Sequence, residues 1–131
     1  IVKIRIFIKL IKMLFKNLLP NKLKFHNELD EYIDIDFLDQ LIKNNVFEPK
    51  NIYNLVFYII NNIKKLQSPS DDNDTEEWES EMRKNMDEGF LYKDFLPTFF
   101  KVTLDKLIKI NNQTNIVRNS EIYNNIKNKK L

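Results

Sequence analysis

The chain has 131 residues, 43% hydrophobic and 31% charged, with a formal net charge of +2, one Gly and no Cys. That length suits one domain whose core buries roughly two-thirds of the unfolded surface. Lack of Cys excludes disulfides and thiolate chemistry and fits a reducing, cytoplasmic setting; the scarcity of Gly argues against hairpins and phosphate-cradling loops. So small a charge does not by itself imply a nucleic-acid partner, and none is expected.

Residues 1–19 are apolar with basic residues set into them. Arg5, Lys9, Lys12 and Lys16 recur at helical spacing on one face, with Ile4, Ile8, Ile11, Phe15 and Leu18 elsewhere. A basic amphipathic helix can lie on an anionic membrane or meet an acidic partner helix, but an outer helix of a bundle is the favoured expectation. Charges interrupt the segment too often for a membrane span. The opening on Ile1 and not Met points to a processed or partial product. The excess of Asn, Ile and Lys suggests an AT-rich genome, such as those of some protists and giant viruses.

Leu19-Pro20-Asn21 breaks the first helix, and a second is expected over 23–33, with Leu23, Asp30 and Ile33 at helical spacing. Asp34 and Asp36 each offer a cap for a helix over 37–45, expected to bury Phe37, Leu38, Leu41 and Ile42. Asn44-Asn45 is a candidate left-handed terminator. Residues 52–67 then form the most sustained apolar stripe, with Ile52, Leu55, Val56, Ile59, Ile60, Ile63 and Leu66 following the i, i+3, i+4, i+7 template. Pro49 suits its first turn, Pro69 stops it, and Asn61, Asn62, Lys64 and Lys65 are left for solvent.

Residues 68–74 read as a loop, with Asp74 and Glu77 as an N-cap pair for an acidic helix over 75–88. Trp78, Met82 and Met86 form a thin apolar seam along it, more suited to docking on the core than to a cofactor. Gly89 sits where a C-terminal cap belongs. Pro97 is expected in the first turn of a helix over 98–110, preceded by a separate short helix or turn. Phe99, Phe100, Val102, Thr103, Leu104, Leu107, Ile108 and Ile110 would face the core. After Asn111-Asn112 the chain turns polar, with Ser120 able to cap a short final helix and a frayed tail over 127–131.

Residues suited to chemistry are few. His26 is the single histidine and lacks the Cys, second His or nucleophile elbow that a triad or metal site needs. No catalytic, cofactor-binding or metal residues are assigned. The run Asp71-Asp72-Asn73-Asp74 lacks the glycine and distal Glu of a calcium loop.

Several motifs are similar to the T-complex protein 11 family. Leu19-Pro20 followed by the acidic stretch 27–40, with Asp34, Asp36 and Gln40, resembles that family's Leu-Pro, acidic segment and Leu-Asp-x-Asp-Leu-Ile start followed by Gln. Leu66, Pro69 and Asp72 match the close of its central helix, Leu-Cys-Ala-Pro-Val-Arg-Asp, while Asp71 stands where the family has Arg. The resemblance covers roughly residues 18–110 and implies an abbreviated member: an all-helical, non-enzymatic protein linked to cAMP-dependent signalling, without cofactors.

Together these features predict an all-α bundle of about five to seven helices around the 52–67 helix, flanked by a basic helix at 1–19 and a polar tail at 112–131. The expected function is that of a protein-interaction module with a protein partner. Its candidate contact residues are Arg5, Lys9, Lys12 and Lys16, together with Trp78, Met82 and Met86. Alternatives are a self-associating structural component of a virion or cytoskeletal particle, joined through opposed basic and acidic segments, and membrane-surface binding by 1–19.

Overall fold

The computed structural model describes residues 2–44, 46, 48–88 and 92–129, with side chains for 5–41, 43–44, 46, 48–88 and 94–115. Those residues form helices α1 (Val2–Leu18), α2 (Leu23–Tyr32), α3 (Ile35–Lys43), α4 (Pro49–Leu66), α5 (Asp72–Asp87) and α6 (Tyr92–Lys129), with a single 3-10 turn, Pro69–Asp71, ahead of α5. The all-α bundle expected from the sequence is the architecture observed.

Local chemistry sets most boundaries. Pro20 follows α1 at a bend, and the turn is closed by His26, whose Nε2 lies 2.8 Å from the Leu19 carbonyl oxygen. Asp34 is the residue that caps α3: its Oδ1 accepts the Phe37 N–H at 3.0 Å. At the start of α4, Glu48 N–H donates to Asn51 Oδ1 at 2.9 Å, and Pro49 takes the first position, where its missing donor costs nothing.

The core is one cluster drawn from α1, α2, α4, α5 and α6. α4 contributes Ile52, Leu55, Val56, Phe57, Ile59, Ile60 and Ile63, all buried, and packs on α5 and α6. α1 also enters the core by one face. Its Ile8, Ile11, Phe15 and Leu18 are buried, and its pairing with α6 is the most extensive between any two described helices. Phe7 stacks on Phe100, and Asn111 Nδ2 donates to the Leu14 carbonyl, so residue numbers rise in the same direction along both helices. α1 and α6 therefore run parallel.

Several expectations give way to packing. Asn62 is buried, not solvated, because its Nδ2 turns back to the Tyr58 carbonyl at 2.9 Å and lies along its own helix. On α2 the buried residue is Leu29, joined by Ile33 just past the helix end, and Leu23 is 70% exposed. On α3, which starts two residues early, Phe37 turns outward while Ile35, Leu38 and Leu41 are half-buried. Ile108 of α6 faces out as well.

The stretch 68–74 is not a loop. The 3-10 turn feeds directly into α5, so Asp74 lies inside the helix and pairs with Lys106 Nζ at 2.7 Å instead of capping. α6 is one helix where the sequence suggests three pieces. Pro97 lies in its second turn, where only the bond to the residue 93 carbonyl is lost. Asn111 does not break it, because its side chain bonds the Leu107 carbonyl at 2.8 Å and ties the helix to α1. The boundary expected at 111 and the cap at Ser120 both fall inside this helix. Ile4, Ile42, Asn45, Gly89 and the end of the expected frayed tail, Lys130 and Leu131, lie outside the described residues or side chains.

Candidate functional site

Three of the four basic residues expected on one face of α1 are engaged within the chain. Arg5 Nη1 pairs with Asp39 of α3, and its Nη2 lies 3.5 Å from Asp36 Oδ1. Lys12 Nζ donates to the Ile33 carbonyl at 2.9 Å and also meets Asp30 at 2.9 Å. Lys16 Nζ donates to the same Asp30 carboxylate at 2.8 Å. Lys12 and Lys16 thus sit at the C-terminal end of α2, where carbonyl groups left free by the helix favour cations. Hydrogen bonds from Lys16 and Lys12 hold the Asp30 carboxyl below its ordinary pKa.

Lys9 is different: it is exposed and forms no ion pair among the described residues. It borders a groove of about 350 Å³ lined by Lys12, Met13, Lys16, Asn17, Asp30 and Ile35. Three lysines face one carboxylate there, so the groove is locally positive.

Beside Lys9 runs a feature that inspection of the basic face alone misses. Ile6 is 53% exposed, Leu10 38% and Met13 50%, and they recur at i, i+4 and i+7 on the side of α1 opposite its core stripe. The signal is present in the sequence: α1 carries apolar residues at two helical phases, and one bundle can bury only one of them. The register fixed by Phe7–Phe100 and Leu14–Asn111 brings exposed Ile108 of α6 level with the Met13 end of this stripe. The result is a solvent-facing apolar band flanked by ammonium groups.

Trp78, Met82 and Met86 are not presented outward. Trp78 and Met82 are buried and Met86 is half-buried against the core. Trp78 stacks on Phe99 with centroids 5.2 Å apart.

The motif residues are split between two places. Asp34, Asp36 and Gln40 belong to α3: Asp34 caps it, Asp36 faces Arg5, and Gln40 is exposed. Leu66, Pro69 and Asp72 form the α4–α5 corner. Gln67 spans that corner, its Nε2 donating to Asp72 Oδ1 at 2.8 Å while its Oε1 accepts the buried Thr75 hydroxyl at 2.6 Å. Two carboxylates of the run 71–74 have lysine partners: Asp71 pairs with Lys109 at 2.6 Å and Asp74 with Lys106. Among the described residues no group of three or more His, Asp or Glu is placed to hold a metal ion, and no helix is long and apolar enough to cross a membrane. Compared with known protein families, characterised proteins and solved structures, the chain matches none.

Proposed function

We propose that this chain is a protein-interaction module that receives an acidic amphipathic helix of a partner protein along the outward face of α1. The observation that carries the proposal is the exposed Ile6–Leu10–Met13 stripe with exposed Lys9 at its edge. A helix laid in such a groove uses apolar anchors at i, i+4 and i+7 for affinity and carboxylates facing the lysines for orientation. The similarity of the α3 and α4–α5 motifs to the T-complex protein 11 family extends the proposal to signalling regulation. Pairing between the basic and acidic segments of two copies has less to draw on, because Arg5, Lys12, Lys16, Asp71, Asp74 and Glu79 already have partners within the chain.

The test compares proteins recovered from a lysate of the native source by the wild-type chain and by an Ile6→Glu/Met13→Glu variant, with flotation on anionic vesicles and gel filtration run in parallel. A protein retained by the wild type and lost with the variant supports the proposal. Flotation abolished by the same variant, with no protein lost, replaces it with membrane-surface binding. A change in elution volume alone replaces it with self-association.

A further inference from the structure

Between the α1–α2 turn and the C-terminal end of α4 lies a cleft of about 350 Å³. Its apolar lining is Leu19, Phe25 and Leu66, all half-buried against the core, with Phe25 held edge-on to Phe15 at a centroid distance of 6.2 Å. Lys22 and Lys24 from the start of α2 and Lys65 from the end of α4 stand exposed around the mouth. Among the described residues none of these lysines forms an ion pair. The carboxylate that borders the cleft, Glu28, accepts the Tyr58 hydroxyl at 3.0 Å.

We infer that this cleft binds a small amphiphilic anion, one carboxylate head on an aryl or medium-chain aliphatic body. Ammonium groups converging on one opening repel each other, and the apolar lining below them is wetted; an amphiphilic anion relieves both at once. An inorganic anion would leave the lining wet, and a neutral hydrocarbon would leave the charges unanswered. Pockets for small molecules run from roughly 300 to 1,000 Å³, so this one admits a single chain or ring and not a two-chain lipid. A polar cavity between the 3-10 turn and α6 differs in this respect, because its Lys106 and Lys109 already face Asp74 and Asp71. The cleft lies at the far end of α1 from Ile6, and the inference does not depend on the proposed docking helix.

The experiment is titration of the ¹⁵N-labelled full chain with decanoate below its micellar concentration. Saturable shifts are expected at amides of residues 19–28 and 62–66, with those of 6–13 unmoved. Lys24→Glu/Lys65→Glu should weaken binding by about tenfold or more, Lys22→Glu by less, and Lys24→Arg/Lys65→Arg should keep it within about threefold. Decyltrimethylammonium and inorganic phosphate should not reproduce the shifts. Equal binding by the cationic amphiphile, an undiminished affinity in both charge-reversed variants, or shifts confined to 6–13 would each overturn the inference. Dispersed spectra of the variants report folding, and recovery of any α1 partner by the Lys24→Glu/Lys65→Glu chain separates this site from the docking face.

Discussion

Trp78 lies nearly flat against Phe99, with planes 17° from parallel, and Lys106 holds its ammonium 5.3 Å from the indole centroid on the way to Asp74. The indole Nε1 is buried and has no hydrogen-bond partner among the described residues. A buried donor left unmet costs about 1–3 kcal/mol, which offsets part of what the stack contributes. Trp78→Phe removes the orphaned donor and keeps an aromatic face, so it should change stability by no more than about 1 kcal/mol. Trp78→Ala should cost about 3–5 kcal/mol. Urea unfolding followed by circular dichroism checks both, since loss of the single Trp removes the fluorescence probe.

Ile59 and Ile63 are fully buried on α4, whereas Asn61 between them is exposed. Ile59→Ala or Ile63→Ala should therefore destabilise by about 2–5 kcal/mol. Asn61→Ala should stay within about 0.5 kcal/mol. Chemical denaturation of the three variants gives the comparison, and equal costs would contradict the orientation of α4.

Gln67 joins the two sides of the α4–α5 corner, and the Thr75 hydroxyl it accepts is fully buried. Gln67→Ala strands its O–H donor, since the Lys106 Nζ at 3.3 Å can only donate to that oxygen, with a cost of about 1–3 kcal/mol. Thr75→Val on the same background removes the stranded group, so the double variant should recover part of the loss. A double-mutant cycle measured by thermal unfolding should return a favourable coupling between the two residues.

Asp30 is held below its ordinary carboxyl pKa of 3.8 by hydrogen bonds from Lys16 and Lys12. Asp74 is lowered in the same sense by its hydrogen bond from Lys106. A carboxyl whose pKa is lower in the folded than in the unfolded chain stabilises the fold fully above its unfolded value, and loses that contribution as pH falls through its folded value. Thermal stability should thus decline below roughly pH 4, and the decline should be shallower in Asp30→Asn than in the wild type. Melting curves between pH 6 and pH 2 supply the measurement, with an identical slope in the variant as the contrary outcome.

Hydrophobic periodicity makes the main stripes legible in the sequence: α4 and the core face of α1 sit where the i, i+3, i+4 pattern puts them. It fails where a side chain can satisfy its own helix. Asn111 and Asn62 look like breakers or solvated positions in sequence, yet each bonds a carbonyl one turn back and lets the helix continue or the residue be buried. The start of α5 is ambiguous in sequence because Asp74 is equally suited to a cap and to a lysine partner, and Lys106 is remote along the chain. For the candidate docking face, the basic residues are visible but their employment is not. Only tertiary packing reveals that Arg5, Lys12 and Lys16 have acidic partners on α2 and α3 while Lys9 and the Ile6–Leu10–Met13 stripe remain outward.

The parallel embrace of α1 and α6 has a consequence for how the molecule is made. Ile8, Ile11 and Phe15 leave the ribosome before the helix they pack against most extensively, which is translated only after residue 91. The α4–α5 corner can form from neighbouring sequence, whereas α1, covered in part by α2 and α3, must wait for α6 before its core stripe is closed. That interval is when a nascent-chain chaperone would have most to hold.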